Sequence, residues 1–434
     1  MDVKFRKLRR KRVVEIRPFR GLVYNPERFQ DLTSVLAPPY DVVSKELRSQ
    51  LLATSPFNIV NLTLGETDRT GSSQGTFYTQ AMEKWKNWQQ KDVVVRVSEP
   101  AIWRVDQTFR SPNDRVLTRT GFVALIRLDS LSPSDIYTHE KTFQSPIRDR
   151  KNLLEMTRTN FSPIFFVYRD LSGDLDALLA DYQYTAQARA TMNLEDRVEI
   201  RVSHTGKRNW IDRFCNCVKE SEILIADGHH RFEAALSFHR ESRPDEFLDT
   251  SFVMGYFVPA SSEGLVIFPV HRGIKGVPDR DLVLIQAKLR ELFDTNANDV
   301  SGGRLPSLRV AVSGKKPVRM RIKAGVHETF RKNLSPTSVG SFSVVIFEEI
   351  ILKEIFRTAP PESPGLPDVR YYSREDDCLG DVERGVVQIA FLFDPIGIES
   401  LYSVVSEDGV LPPKSTYFYP KCPAGLVMHS LERT

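Results

Sequence analysis

The chain has 434 residues, 41% hydrophobic and 27% charged, with a formal net charge of +4. That composition is ordinary for a soluble globular protein, and the length makes two domains the expectation. No run approaches the roughly 18–20 apolar residues of a membrane span. No signal-peptide core is present, so the cytoplasm is the expected location, and four cysteines without a CxxC pair give neither a zinc ribbon nor a thioredoxin-type site.

The charge is unevenly placed. Lys4 to Arg12 holds seven basic residues and no acid, so the rest of the chain carries +4 − 7 = −3. Residues 1–14 therefore read as a basic arm. A near-neutral body without a recognisable helix-turn-helix argues against nucleic acid as the main partner.

After the arm, Ile16 onward is extended. Pro38 and Pro39 forbid helix and hold "LAPPYDV" extended. Ser44 is placed to cap a helix whose Leu47, Leu51 and Leu52 share a face. Asn58 to Leu64 alternates like a strand, Gly71 to Gly75 is a loop, and residues 76–90 are helical. "PAIWRVDQTFR" and "RTGFVALIRL" predict a strand pair around "SPNDR". "DRKNLLEMTRTN" predicts a helix, "SPIFFVYRD" a strand, Leu171 to about Asn193 a helix, "RVEIRVS" a strand and "IDRFCNCVKE" a short helix. "SFVMGYFVPA" and "GLVIFPVHRGI" are expected to pair. Residues 280–356 mix two helices with two strands, and Ala359 to Pro367 forms a proline-rich break. Thr416 to Tyr419 alternates as a strand between prolines. The fold class expected is α+β, a mixed α/β protein without a regular βαβ rhythm. Its domains are the arm, an N-terminal α/β domain at 15–275, and a C-terminal α/β domain at 276–434 with a loop at 359–367.

One stretch concentrates chemistry. "EILIADGHHRFEAAL" runs from a buried strand through Asp227-Gly228 into an amphipathic helix. Glycine lets the backbone approach a ligand closely. His229, His230 and Arg231 then occupy a first helical turn, whose N–H groups and positive dipole end favour phosphate. Arg231 adds a guanidinium fork. Asp227 is placed to cap the helix, hold Mg²⁺ or accept a proton, and the two histidines supply acid–base capacity.

The segment "ADGHHRFEAAL" resembles the phosphate-binding signature of the ParB/sulfiredoxin superfamily. Small-molecule serine kinases of that superfamily carry a similar Asp-Gly-x-His-Arg pattern, matched here by Asp227, Gly228, His230 and Arg231. A second resemblance is longer. "IRPFRGLVYN", "LAPPYDVVS", "THEKT", "NFSPIF", "ADGHHRFEAAL", "FPVHR" and "PPKSTYFYPK" are similar, in this order, to a bacterial and archaeal family catalogued as domain of unknown function 1015. The first resemblance implies a ParB/sulfiredoxin-like core that holds nucleotide phosphates. The second implies serine or phosphoserine chemistry.

Other candidates are more dispersed. His139 and Glu140 in "THEKT" offer a general base or metal ligand. Tyr40 and Asp41 are handles on a rigid loop. Arg148, Lys151 and Arg158 are placed to converge on an anion, near Asn160 and Ser162. His271 and Arg272 end an apolar strand. Lys414, Ser415 and Thr416 echo a Walker A ending, but no glycine-rich loop precedes them, so they count only as anion donors. No GxGxxG, HExxH or GxSxG is present, which excludes dinucleotide oxidoreductase, zincin and α/β-hydrolase chemistry.

The function expected is a phosphate- or nucleotide-handling enzyme moving a phosphoryl group to or from a small hydroxyl substrate, serine or phosphoserine first. Asp227, His229, His230, His139 and Glu140 are its candidate catalytic residues. Gly228, Arg231, Arg272, Lys414, Ser415 and Thr416 would bind phosphate, and Tyr40, Asp41, Arg148, Asn160, Ser162 and His271 the substrate. Mg²⁺ and a nucleotide or pyrophosphate donor are the expected cofactors. Two alternatives stand: a metal-dependent phosphatase or hydrolase built on the histidines, and a nucleotide-gated binding protein whose arm touches DNA.

Overall fold

The computed structural model describes residues 14–433, except 66–73, 112–113, 129–135, 170–172, 175–177, 180, 185, 194–195, 220, 244, 296–304, 335 and 357–366. The basic arm, residues 71–73 of the expected loop and nearly all of the proline-rich break therefore lie outside the described residues. The chain divides into two compact units. The first contains Met1–Tyr137, Thr142–Val266 and Pro420–Thr434; the second contains Thr138–Lys141 and Ile267–Tyr419. No described helix is long and apolar enough to cross a membrane.

A nine-stranded mixed sheet organises the first unit. Its order is Ile136–Tyr137, Glu222–Asp227, Ile164–Arg169, Phe252–Pro259, Val116–Arg127, Ile102–Arg110, Arg197–Thr205 and Ala186–Asn193, with Ile16–Arg17 also paired to Val116–Arg127. Ile223 to Ala226 is buried throughout, as an apolar run between two neighbouring strands requires. The helix Arg208–Lys219 buries Trp210, Ile211, Phe214, Cys217 and Val218, one face at helical spacing. These side chains pack with Phe122, Phe166, Phe257 and, from the helix His229–Glu241, Phe232, Ala235 and Phe238. Each such burial stabilises by roughly 1.5–3 kcal/mol.

The second unit is built on a six-stranded sheet in the order Phe293–Asp294, Val318–Ile322, Ser307–Ala311, Ile389–Leu392, His271–Lys275 and Asp368–Tyr372. Its core packs Ile285 and Leu289 of the helix Asp279–Leu292 with Ile346, Phe347 and Ile350 against Leu308, Met320 and Phe391. The expected single helix there starts as α-helix at Ser343–Ile346 and continues as π-helix over Phe347–Phe356.

The mixed α/β class holds, and three local expectations do not. Val60–Thr63 is a helical turn, not a strand. The Asn58 side chain accepts from Val60 N–H and donates to the Ser34 and Leu36 carbonyls, which bends the chain into a turn. Ala186–Asn193 is a strand because its backbone pairs with Arg197 to His204 along its whole length. Phe252–Pro259 pairs with Val116–Arg127 and Ile164–Arg169, and not with the strands after Val266. Strand pairing overrode local pattern in the last two cases, and the Asn58 side chain did so in the first.

Candidate functional site

The strand Glu222–Asp227 delivers its last residue out of register. It pairs antiparallel with Ile164–Arg169, and the register shifts between Ile225 and Asp227. Such irregularities re-aim a side chain at a strand end. Gly228 follows with φ 92° and ψ 26°, a left-handed conformation open to glycine at no steric cost. A Cβ at Gly228 would also lie 2.9–3.1 Å from the Arg231 guanidinium. The glycine thus serves the turn and the arginine that folds over it.

Asp227 does not cap the helix; no side chain does. Its carboxylate bridges two cations instead. Oδ2 accepts from Arg231 Nη2 at 2.6 Å, and Oδ1 pairs with Lys421 Nζ at 2.6 Å. Lys421 also reaches Asp41 Oδ2 at 2.5 Å. Burial pushes Asp227 up, but Lys421 and Arg231 outweigh it and hold the carboxyl below the ordinary aspartate value. Burial likewise opposes the charge on Lys421, yet Asp227 and Asp41 hold its ammonium well above the ordinary lysine value. Arg231 Nη1 donates to Ser162 Oγ (2.9 Å) and to the Pro163 carbonyl (2.5 Å). Its buried Nε has no acceptor among the described residues.

Beside this network lies a cavity of about 60 Å³ lined by Tyr40, Thr63, Arg150, Asn160, Ser162 and Arg231, among others. Pro39 precedes a short 3₁₀ turn, Tyr40–Val42, that sets Tyr40 under Arg150, whose guanidinium carbon stands 4.0 Å from the ring centroid. Burial pushes the Tyr40 phenol up to about 12. Arg150 donates to the Thr63 carbonyl at 2.7 Å and pairs with Asp149. Asn160 Oδ1 accepts from Met254 N–H at 3.2 Å. His230 Nε2 accepts from Phe143 N–H at 3.1 Å, with the two rings stacked. His229 stands beside it in the first helical turn.

The structure thus gathers Tyr40, Asp41, Asn160, Ser162, Asp227, Gly228 and Arg231 in the first unit, and adds Arg150 and Lys421. Arg150 had a signal in the sequence: with Leu153, Leu154 and Thr157 it falls on the buried face of the helix Gln144–Thr157. Arg148 is exposed on that helix. The expected convergence with Lys151 and Arg158 is absent, because Lys151 pairs with Glu241 and Glu155 while Arg158 stacks on Phe238. Lys421 closes the family-like stretch "PPKSTYFYPK", but nothing in the sequence tied it to Asp227, 194 residues earlier.

The other candidates belong to the second unit and form their own cluster. Glu140 accepts the backbone N–H groups of Lys414 (3.2 Å), Ser415 (2.9 Å) and Thr416 (3.1 Å), and the Thr416 hydroxyl at 3.1 Å. Lys414 has φ 57°, so the consecutive N–H groups curl into a small anion nest. The expected anion donors do hold an anion, and it is the chain's own carboxylate. His139, fully buried, bonds Thr416 Oγ1 through Nε2 at 2.7 Å. Arg272, 1% exposed, donates to the Val270, Pro413 and Lys414 carbonyls, and burial lowers it to about 10. His271 Nδ1 accepts from Phe393 N–H at 3.1 Å, and burial lowers its imidazole to about 4.

Among the described residues no three His, Cys, Asp or Glu side chains group as a metal site. Asp227 does not fit Mg²⁺, since both its oxygens already face cations that would repel a divalent ion.

The described molecule is thus a mixed α/β protein with a buried cation–carboxylate network where a strand turns into a helix. The chain belongs to the family described as Protein of unknown function (DUF1015), which matches residues 16–355. Lys421 lies beyond that matched span. Among curated proteins nothing matches. Among solved structures, it is similar to a free serine kinase variant in complex with AMP, at 12% identity and TM-score 0.40, over 71% of this chain and 91% of that one. A conserved hypothetical protein from Pyrococcus furiosus gives 14% identity and TM-score 0.36, over 71% and 95%. SbnI with C-terminal truncation from Staphylococcus aureus gives 11% and 0.35, over 69% and 84%. These partial likenesses decide nothing about the chemistry of this chain.

Proposed function

We propose that the first unit carries a phosphoryl-transfer site that moves phosphate to or from a small hydroxyl substrate, with serine or phosphoserine as the first pair to test. The observation that carries the reading is Arg231: a nearly buried guanidinium at a helix start, with a buried Nε that has no acceptor among the described residues and, beside it, a cavity where Tyr40, Arg150, Asn160 and Ser162 stand among apolar side chains. A buried donor without an acceptor costs about 1–3 kcal/mol, and an anion in the cavity offsets that cost. The first-turn N–H groups have no carbonyl to bond within the helix and point the same way. The sequence resemblance of Asp227, Gly228, His230 and Arg231 to a ParB/sulfiredoxin-type phosphate motif supports the same reading.

Phosphoryl transfer needs positioning and charge neutralisation more than covalent help from the protein. Arg231, Lys421 and Arg150 supply the positive charge. An incoming phosphate takes hydrogen bonds from Arg231 and Lys421 that Asp227 holds beforehand. Asp227, so released, faces the substrate hydroxyl and takes its proton as the new O–P bond forms and the donor's P–O bond breaks. Release from Lys421 and Arg231 also removes the contacts that hold its carboxyl low, so Asp227 accepts a proton more readily once phosphate is bound. The small cavity fits a compact substrate, with Tyr40, Asn160 and Ser162 as orienting groups. The phosphate donor in this reading is a nucleotide or pyrophosphate, and no step is routed through a protein-bound metal.

The test is phosphorus NMR with ATP, ADP, CTP or pyrophosphate, each with and without L-serine, and with phosphoserine alone. A new phosphomonoester signal that requires serine is expected, and its loss in Arg231→Lys at unchanged tryptophan fluorescence. Equal turnover in wild type and Arg231→Lys overturns the reading.

A further inference from the structure

We propose that Arg119 and Gln107 form a buried clamp that positions the Lys421 ammonium against Asp227, a role whose catalytic consequence rests on the phosphoryl-transfer reading. The two face each other in direct register across the strands Ile102–Arg110 and Val116–Arg127. Side chains alternate along a strand, so Gln107 lies on the face opposite to Ile102, which enters the aromatic core. Gln107 is 1% exposed and Arg119 is fully buried. Polar groups so placed are costly unless they are hydrogen-bonded. Arg119 Nη2 donates to Gln107 Oε1 at 2.6 Å and to the Pro420 carbonyl. Gln107 Nε2 donates in turn to the Lys421 carbonyl at 3.1 Å, and Tyr256 OH reaches Gln107 Oε1 at 3.5 Å.

The two held carbonyls bracket the Cα of Lys421, and Pro420 fixes its own φ. Rotation of the backbone at Lys421 is therefore restrained from both sides, which aims its side chain. Arg119 also reaches the other half of the ion pair. Its guanidinium carbon stands 4.6 Å from the ring centroid of Phe165, the residue paired with Asp227 across the sheet. Tyr256 pairs with Phe165 on the other side, their rings 5.3 Å apart. One arginine thus holds the segment that carries Lys421 and rests on the strand neighbour of Asp227, so it sets the separation of the two, 2.6 Å between Nζ and Oδ1. Neither clamp residue lines the cavity beside Arg231, so both are positioning residues. A misplacement of about 1 Å at a reacting centre costs about 100-fold in rate, which is the lever such a clamp has.

The test uses the full chain and two readouts. One is the Lys421 ammonium signal in nitrogen–proton NMR, assigned with Lys421→Met; the other is kcat and KM for phosphoryl transfer, followed by phosphorus NMR. Gln107→Met removes the donor to the Lys421 carbonyl at nearly constant volume. Ile102→Val, on the opposite face of the same strand, controls for general loosening. Gln107→Met is expected to shift the Lys421 signal and speed its proton exchange, and to lower kcat about 10–100-fold with a smaller change in KM. Ile102→Val is expected to do neither. Arg119→Lys keeps the charge and loses the fork, so it should act in the same direction, and it replaces Gln107→Met if that variant loses native tryptophan fluorescence. An unmoved Lys421 signal overturns the clamp, and so does an equal change in Ile102→Val. Loss of native fluorescence in both clamp variants assigns them to folding and overturns it too. A moved ammonium with unchanged kcat overturns the catalytic consequence. A wild type that transfers no phosphate overturns the functional reading alone, and the Lys421 signal still decides the clamp.

Discussion

Replacing Lys421 by methionine removes one charge and keeps nearly the same volume, so the structure sets what should happen. The Asp227 contact at 2.6 Å is worth about 6 kcal/mol of attraction at an effective dielectric of about 20. Desolvation takes back several kcal/mol. Asp227 keeps Arg231, which limits the loss further. Asp41 is 41% exposed, so its contact with Lys421 is screened and adds little. The net expectation is a loss of about 3 kcal/mol for Lys421→Met and at most about 1 kcal/mol for Asp41→Asn. The assay is built into the chain: all four tryptophans, Trp85, Trp88, Trp103 and Trp210, belong to the first unit, so urea unfolding followed by tryptophan fluorescence reports on that unit alone. A double-mutant cycle should give strong coupling of Lys421 to Asp227 and weak coupling to Asp41. The sign with pH is fixed as well. Asp227 is depressed, so its stabilisation is complete above the unfolded carboxyl value near 4 and is lost as pH falls further. Lys421 is raised, so its share persists until pH climbs past the ordinary lysine value. The deficit of the variant should therefore be flat from about pH 5 to 9 and shrink in acid. Equal losses in Lys421→Met and Asp41→Asn refute the reasoning.

Three further outcomes are expected. Gly228→Ala forces a left-handed alanine against Arg231, and should cost roughly 1–2 kcal/mol by the same fluorescence assay while slowing any phosphoryl transfer. Glu140→Ala empties the nest formed by Lys414, Ser415 and Thr416, and should lower the calorimetric stability of the second unit by about 2–3 kcal/mol. Added acetate should restore part of that loss, whereas salt of equal ionic strength without a carboxylate should not. His271 is buried neutral, so its contribution is complete above about pH 6.5 and is lost as pH falls toward 4. His271→Gln, which keeps an acceptor for Phe393 N–H, should flatten the acid loss of the second unit over that window.

The sequence was informative wherever chemistry is local. The strand, glycine and helix around Asp227 are adjacent in the chain, so their pattern survives into the structure, as does the Ser44 cap, which accepts from Leu47 N–H at 3.1 Å. Partners chosen across long distances were hidden. Asp227 reads as a helix cap or base until Lys421 arrives, and Lys-Ser-Thr reads as an open anion site until Glu140 fills it from 274 residues away. Arg148 and Arg150 differ only by which face of one helix they occupy, and only the apolar spacing of Leu153 and Leu154 separates them. The strand at Ala186–Asn193 has no strong alternation of its own, and its pairing with Arg197–Thr205 decided its form.

The position of Lys421 also bears on the order in which the protein comes into being. Most of the first unit is synthesised before Ile267, yet its central cation arrives only after Tyr419, when the second unit has been translated. Until then Asp227 and Asp41 wait without Lys421. Buried Arg119 and Gln107, which hold the carbonyls of Pro420 and Lys421, wait without those acceptors. A chain that stops anywhere in the second unit lacks these later partners, while Asp227 keeps Arg231 and Arg119 keeps Gln107. The polar core of the first unit is therefore completed only when Pro420–Thr434 is in place.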